Sequence, residues 1–206
     1  MKRSIITTAL ALFTFGFIHA QQEALIESEM DTGKGLTFQT GDMFAEGSLK
    51  LTTGGAEEVF GFNPKFGYFI KPKLAVGADM NIGSTKIKSQ DYKTNIFSFG
   101  AFARYYCLEL AHKRFKAYTE VGLGFGHNKQ KTAGVSDNNN SITADINVGL
   151  NYFFTKNIAA TFTLANILSY NSVNPENGSS TDTFTMNLNL FNNIFDQPQF
   201  GLLYKF

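Results

Sequence analysis

Disulfides, long apolar runs and a charge imbalance are all missing from this sequence. Cys107 is the single cysteine, so no disulfide can form within the chain. Beyond the first twenty residues no run of eighteen apolar residues occurs, which excludes a transmembrane helix there. If the chain crosses a membrane, it therefore does so as a closed barrel, because lipid leaves the edges of an open sheet without hydrogen-bond partners.

The N-terminus has the features of a secretory signal peptide. Lys2 and Arg3 precede an apolar stretch over residues 5–18, and the small Ala20 follows. We predict a signal peptide over residues 1–20, with cleavage after Ala20 and no cysteine there to carry a lipid anchor. The remaining chain has 16 basic and 17 acidic residues, and this balance argues against nucleic acid as a partner.

Alternating apolar and polar residues fill most of the chain, which is the two-residue period of β-strands. The alternation predicts eight antiparallel strands: 44–53, 59–70, 74–83, 94–107, 115–126, 142–154, 158–168 and from 183 to the end. Pro64 cannot donate a ladder hydrogen bond, so we expect a bulge or an irregular ladder there. Residues 192–199 interrupt the eighth strand. Either that strand is bulged, or residues 183–191 extend a hairpin above the membrane and only 200–206 cross.

Short and long connections alternate between the predicted strands. Residues 71–73, 108–114 and 155–157 are short links, whereas 84–93, 127–141 and 169–182 are polar and are predicted to be long mobile loops. A meander with its short turns at one end and its long loops at the other is typical of outer-membrane barrels. We therefore predict three regions: the signal peptide 1–20, a polar and mobile periplasmic lead-in over 21–43, and the barrel over 44–206.

Aromatic residues mark the short-turn end of the strands, where an interfacial girdle is expected. The predicted girdle consists of Phe66, Tyr68, Tyr105, Phe115, Tyr152 and Phe154. The polar face carries four acids and four bases, a balance that favours pairing inside a narrow barrel. This interior charge network is predicted to contain Glu46, Lys50, Lys65, Asp79, Arg104, Glu120, Asp145 and Lys205. We expect their pairing to leave no obvious cavity, and a soluble lipocalin-like barrel with the faces reversed remains the alternative.

The chain from residue 44 onward resembles the OmpX/OmpA-type eight-stranded outer-membrane β-barrel family, in the form common in Bacteroidetes. The hairpin around residues 67–77 and the last seven residues, 200–206, carry the resemblance. It implies an all-β, eight-stranded, up-and-down transmembrane barrel in the outer membrane of a Gram-negative bacterium. It also implies insertion by the outer-membrane assembly machinery, which would read a C-terminal signal formed by Phe200, Leu202, Tyr204 and Phe206.

The sequence contains few patterns that are typical of catalytic, cofactor-binding or metal sites. The glycines at 122–126 lack the helix that a dinucleotide loop requires, and the stretch that begins Asp137-Asn138-Asn139-Asn140 has Val148 where a calcium loop requires Glu. We predict no catalytic residue, no cofactor and no metal.

The leading hypothesis is a structural or surface-interaction barrel, in contact with lipid and lipopolysaccharide, that takes an extracellular ligand through the outer loops. The alternatives are a lipid A-modifying enzyme that uses His127, and a narrow small-solute channel.

Overall fold

The computed structural model describes residues 33, 35–53, 57–87, 92–132, 135–176, 178–187 and 199–206, all of which belong to one compact unit, Gly33–Phe206. The predicted signal peptide and the start of the predicted lead-in lie outside the described residues. Their assignment stays a prediction.

Nine strand segments make up the described fold. They are β1 (Met43–Thr53), β2 (Glu57–Lys71), β3 (Leu74–Ile87), β4 (Tyr92–Leu110), β5 (Phe115–Thr132), β6 (Val135–Phe153), β7 (Ile158–Pro175), β8 (Thr181–Met186) and β9 (Gln199–Lys205). Among these described residues, no helix is long and apolar enough to cross a membrane.

The sheet closes on itself. Strands β1 to β7 pair antiparallel with their neighbours in chain order, and β9 pairs with both β1 and β7. Segment β8 pairs with the second half of β7, so β8 and β9 share the position of an eighth strand. The predicted eight-stranded antiparallel up-and-down barrel is confirmed. We call the end that carries the β2–β3, β4–β5 and β6–β7 links the short-turn end, and the opposite end the outer end.

The eighth strand contains an insertion. Leu168 of β7 faces Met186 of β8, and Thr163 of β7 faces Gln199 of β9. Between these two paired positions, β7 has four residues, whereas the chain from β8 to β9 has twelve. A membrane-crossing strand takes about 9–11 residues, and Leu168 is already the eleventh residue of β7. Segment β8 thus pairs at and beyond the crossing length, which agrees with the second predicted arrangement for residues 183–186. Residues 188–198 lie outside the described residues, so the rest of that arrangement stays a prediction.

The predicted long loops are mostly strand, and here the sequence-based interpretation was wrong. Strand β5 continues to Thr132 and β6 begins at Val135, so the stretch 127–141 is largely a paired β-hairpin. Likewise β7 continues to Pro175 and β8 begins at Thr181. A strand whose two faces both meet water can consist almost entirely of polar residues. Such a strand lacks the alternation of apolar and polar residues by which strands are recognised in a sequence.

The ladder at Pro64 is irregular, but it contains no bulge. Strands β2 and β3 keep one register on both sides of Pro64, with Phe62 facing Ile82 and Lys65 facing Asp79. The side chain of Asn63 donates from Nδ2 to the carbonyl of Met80 at 2.6 Å beside the gap in the ladder. A side-chain hydrogen bond therefore compensates locally for a residue that has no N–H.

The apolar face points outward along the barrel wall. Leu123 is 59% exposed, and Phe99 and Phe125 are exposed beside each other on neighbouring strands, with ring centroids 6.0 Å apart. The opposite face buries charged groups, among them Arg104 and Glu120. This polarity is the reverse of a soluble barrel and matches a sheet that faces lipid.

Candidate functional site

A buried salt-bridge cluster fills the middle of the lumen. Arg104 on β4 bonds Glu46 of β1 through both terminal nitrogens, at 2.6 and 3.1 Å, and bonds Glu120 of β5 through Nε at 2.7 Å. Lys65 of β2 pairs with the other oxygen of Glu120. Buried charges are stable only when they are paired and hydrogen-bonded, and these four side chains meet that condition because barrel closure brings β1 to face β4 and β5.

Aromatic rings enclose the guanidinium group of Arg104. Its carbon lies 4.0 Å from the centroid of Tyr118, 5.2 Å from that of Phe44 and 5.6 Å from that of Phe102. Cation–π contacts of this kind gain strength when water is excluded. The ring of Tyr118 lies over Gly149, where any Cβ would overlap it.

The short-turn end is closed by a segment of the predicted lead-in, which we call the plug (Gly35–Asp42). Phe38 of the plug stacks on Phe69 with centroids 4.2 Å apart, and it also contacts Tyr106 and Phe153. Lys116 donates to the carbonyl of Leu36 at 2.8 Å. The prediction of a mobile lead-in was therefore wrong for these residues.

Backbone hydrogen bonds hold the plug at both of its ends. Gly35 N donates to the carbonyl of His112 at 2.8 Å, and Gly41 N donates to that of Phe69 at 2.9 Å. His112 lies in the β4–β5 link, where it and its two neighbours adopt positive φ. The sequence signal that was overlooked is the alternation of Leu36 and Phe38, which places both side chains on one face.

A polar cavity of about 620 Å³ lies in the lumen on the outer side of the salt-bridge cluster. Charged residues on its wall are Lys65, Asp79, Glu120 and Asp145, accompanied by amides such as Asn63 and Asn147. The expectation that paired charges leave no cavity was wrong. Gly122 and Gly124 of β5 line part of the wall, and the side chains of Asp145 and Thr143 lie where their Cβ atoms would be.

The eight predicted interior charges do not form one network. Glu46, Lys65, Arg104 and Glu120 come together, whereas Asp79 and Asp145 bond to amides. Lys205 lies at the short-turn end, 3.2 Å from Asp42 of the plug. Lys50 is half-buried on the inward side of β1 and is not part of the cavity wall. Strand alternation predicts which side of the barrel wall a side chain lies on. It does not predict which side chains lie at the same height along the barrel axis.

The predicted girdle and C-terminal signal residues lie on the outward face. Phe66, Tyr68, Tyr105 and Phe154 are exposed, and the ring of Phe115 contacts that of Tyr152 at a tilt of 45°, with centroids 4.5 Å apart. Phe200, Leu202, Tyr204 and Phe206 all point outward from the eighth strand. Their roles in interfacial anchoring and in assembly stay predictions.

Histidine, cysteine and metal chemistry find little support in the described part of the chain. His127 Nδ1 lies 3.0 Å from Oδ1 of Asn140, and Cys107 is an exposed free thiol beside the carbonyl of Ala117. Within the described ranges, no group of three or more His, Cys, Asp and Glu side chains could hold a metal ion.

A closed sheet with an apolar outside and a charged, hydrogen-bonded inside defines a transmembrane β-barrel. Residues 8–190 match the family model of the outer membrane protein beta-barrel domain, and the chain belongs to this family. It is accordingly a protein of the outer membrane of Gram-negative bacteria. The narrower likeness to the form common in Bacteroidetes stays a prediction.

Solved structures share this fold at low sequence identity. Neisserial surface protein A is 20% identical with a TM-score of 0.51, over 80% of this chain and 94% of that chain. OprG from Pseudomonas aeruginosa is 12% identical with a TM-score of 0.49, over 82% and 97%. Ail from Yersinia pestis is 15% identical with a TM-score of 0.43, over 81% and 97%. The likeness to Neisserial surface protein A shows a common fold alone. No curated protein matches the sequence.

Proposed function

We propose that this chain is a non-catalytic surface-interaction barrel that binds phosphorylated or sulfated saccharides through its outer hairpins. The proposal rests on four exposed lysines on three neighbouring strands, which we call the lysine row. Its members are Lys86 on β3, Lys93 on β4, and Lys129 and Lys131 on β5.

The lysine row places like charges directly opposite one another. Lys93 faces Lys86 on one side and Lys131 on the other, while Glu58 of β2 faces Lys86 at the end of the row. Like charges at directly facing positions destabilise a sheet. An arrangement that lowers stability at the outer end of the barrel supports a role in binding anions.

The height of the row supports a partner in the saccharide layer of the membrane or just above it. Ile82, Phe97 and Phe125 are the last large apolar residues exposed on β3, β4 and β5 toward the outer end. Lys86, Lys93 and Lys129 each follow four residues further in that direction. Four residues along a strand span about 13 Å, which at a strand tilt of about 35–45° is roughly 10 Å of height. We expect the phosphate groups of saccharides in or above the membrane surface to reach this height.

The other two functional classes receive less support. A lipid A-modifying enzyme would require a nucleophile, a base and an acid in contact, whereas the ring of His127 contacts the side-chain amide of Asn140. A small-solute channel would require an open path, whereas Phe38 and its aromatic neighbours occupy the short-turn end. Both observations favour a barrel that neither catalyses nor conducts.

Binding by the purified barrel tests the proposal. The protein, folded in nanodiscs of neutral lipid, should bind both immobilised heparin and lipopolysaccharide aggregates. Changing all four lysines of the row to serine should abolish binding, since each phosphate or sulfate contact is a charge-assisted hydrogen bond. Binding to lipopolysaccharide alone would identify an anchor in the membrane leaflet, and binding to heparin as well would identify capture of free glycans.

Two exposed lysines at the opposite end provide the matched control. Lys71→Ser with Lys73→Ser removes charge from the short-turn end and should leave binding unchanged.

On whole cells, replacing residues 128–139 by Asn-Gly would join the facing pair His127 and Asn140 and should reduce adhesion to heparin-coated surfaces. Equal binding by the quadruple variant and the parent protein would contradict the proposal.

A further inference from the structure

The cavity in the outer half of the lumen carries an excess of negative charge. Below it, Glu46 and Glu120 are balanced by Arg104 and Lys65 in the salt-bridge cluster. Asp79 and Asp145 also line the cavity, but no base forms a salt bridge with either of them among the described residues. The hydrogen bonds that Asp79 and Asp145 accept from Asn63 and Asn147 come from neutral amides.

The two carboxylates converge from opposite sides of a glycine surface. Asp79 on β3 lies over Gly100 of β4, where a Cβ would be 2.7 Å from Oδ1. Asp145 on β6 lies over Gly122 of β5, where a Cβ would be 2.9 Å from both carboxylate oxygens. Strands β4 and β5 lie next to each other, so the glycines allow the two acids to lean toward each other across the cavity wall.

Amides hold each carboxylate in place. Asn63 donates to Oδ2 of Asp79 at 3.3 Å, and Asn147 donates to Oδ2 of Asp145 at 2.6 Å. Asn166 in turn donates to the side-chain oxygen of Asn147 at 3.1 Å. These neutral donors orient the carboxylates and leave the charge of both acids in place.

Hydrogen-bond acceptors without donors lie beyond the cavity toward the outer end. The side-chain oxygens of Thr94, Asn128, Asn139 and Asn171 are buried and have no hydrogen-bond donor among the described residues. Each lies two or four residues beyond an inward-facing residue of the cavity wall on its own strand, and therefore on the same side of that strand. Buried polar oxygens without partners are costly, so this part of the lumen offers four unsatisfied oxygens to a ligand with N–H donors.

We propose that the cavity binds a small organic cation with several N–H donors, of the polyamine or guanidinium class. Its volume lies within the range of small-molecule pockets, about 300–1,000 Å³. The ammonium groups of such a ligand neutralise Asp79 and Asp145, and its N–H groups meet the free acceptors. A metal ion fits less well, because no third acid, His or Cys joins the two aspartates in the described ranges to form a metal-binding group.

Titration calorimetry with spermidine tests this site. The barrel is folded in uncharged detergent micelles, and Mg²⁺ and sucrose serve as comparison ligands. Asp79→Asn and Asp145→Asn should each weaken spermidine binding about tenfold or more, the loss expected for one charged hydrogen bond. Asp137→Asn is the matched control, because Asp137 lies on the same strand as Asp145 but is exposed outside the cavity.

Folding is checked for every variant by comparing the gel mobility of boiled and unboiled samples. As a second measurement, spermidine should protect Asp79 and Asp145 of the unmodified protein from carbodiimide labelling and should leave Asp137 reactive. Protection that is equal at all three aspartates, an equal loss of affinity in Asp137→Asn, or binding of sucrose or Mg²⁺ in place of spermidine would overturn the proposal. The lysine row is intact in all of these variants, so this result is independent of saccharide binding.

Discussion

Arg104 combines burial, salt bridges and aromatic contacts in one side chain. It is fully buried, it pairs with Glu46 and Glu120, and Tyr118 stacks over its guanidinium group. The planar fork of arginine suits this arrangement better than the ammonium group of lysine, because it can bond two carboxylates in fixed directions at once. Within the lumen, the residue therefore acts as a cross-link between β1, β4 and β5.

Arg104→Met should destabilise the barrel by about 3–5 kcal/mol, because it leaves Glu46 and Glu120 buried with only Lys65 to balance them. Urea-induced unfolding in lipid vesicles measures the change. The control is Lys129→Met on the exposed surface of β5, which should alter stability by no more than about 0.5 kcal/mol. Similar losses in both variants would show that the cluster does not stabilise the fold.

The plug is the element that the alternation pattern did not identify as part of the barrel. It forms no strand, yet it contributes Leu36 and Phe38 to the same buried cluster as Phe69, Tyr106 and Phe153. Its ends bond to the β4–β5 link and to β2. A segment of eight residues thus closes the short-turn end with side chains instead of additional strand pairing.

Phe38→Ala should reduce the free energy of unfolding by about 3–5 kcal/mol, as expected for removal of a buried aromatic ring. Phe38 is 2% exposed. Its neighbour Thr37 is exposed, so Thr37→Ala should have little effect. Denaturant unfolding of the two variants side by side gives the difference, and a Phe38→Ala barrel as stable as the parent would mean that the plug is only loosely attached.

At the scale of the whole molecule, the barrel has an apolar outside and a polar inside. Exposed Leu123 and half-exposed Ser98 lie on the two opposite faces of the wall, and Ser98 borders the cavity. The same charge should therefore have very different consequences at the two positions. Lipid does not solvate the charge, whereas the cavity wall offers the carboxylates of Asp79 and Asp145.

Leu123→Arg should cost about 2–4 kcal/mol in lipid, and Ser98→Arg should cost clearly less. Folding into vesicles of defined thickness, followed by unfolding in urea, compares the two variants. The reverse order would mean that the faces are exchanged and that the barrel is of the soluble type.

Much of the charge cluster could be foreseen from strand alternation, but the cavity could not. Alternation places Glu46, Arg104 and Glu120 on the polar side of their strands, and the structure shows that this side is the lumen. The heights at which they meet depend on the stagger between strands, including the register shift between Tyr106 and Leu108. Such a shift changes which residues face each other and leaves no mark in a two-residue pattern.

The sequence by itself determined the strand period and the short links, because these depend on residues close together along the chain. Whether the apolar face points outward or inward stayed open between two kinds of barrel, and the exposure of Leu123, Phe99 and Phe125 decided it. Only the tertiary structure decided that Phe38 closes the barrel, that the outer segments continue as paired strands, and that Asp79 and Asp145 converge over glycines. Each of these features joins residues far apart in the sequence. Their meeting depends on how a closed and tilted sheet sets the height of every strand.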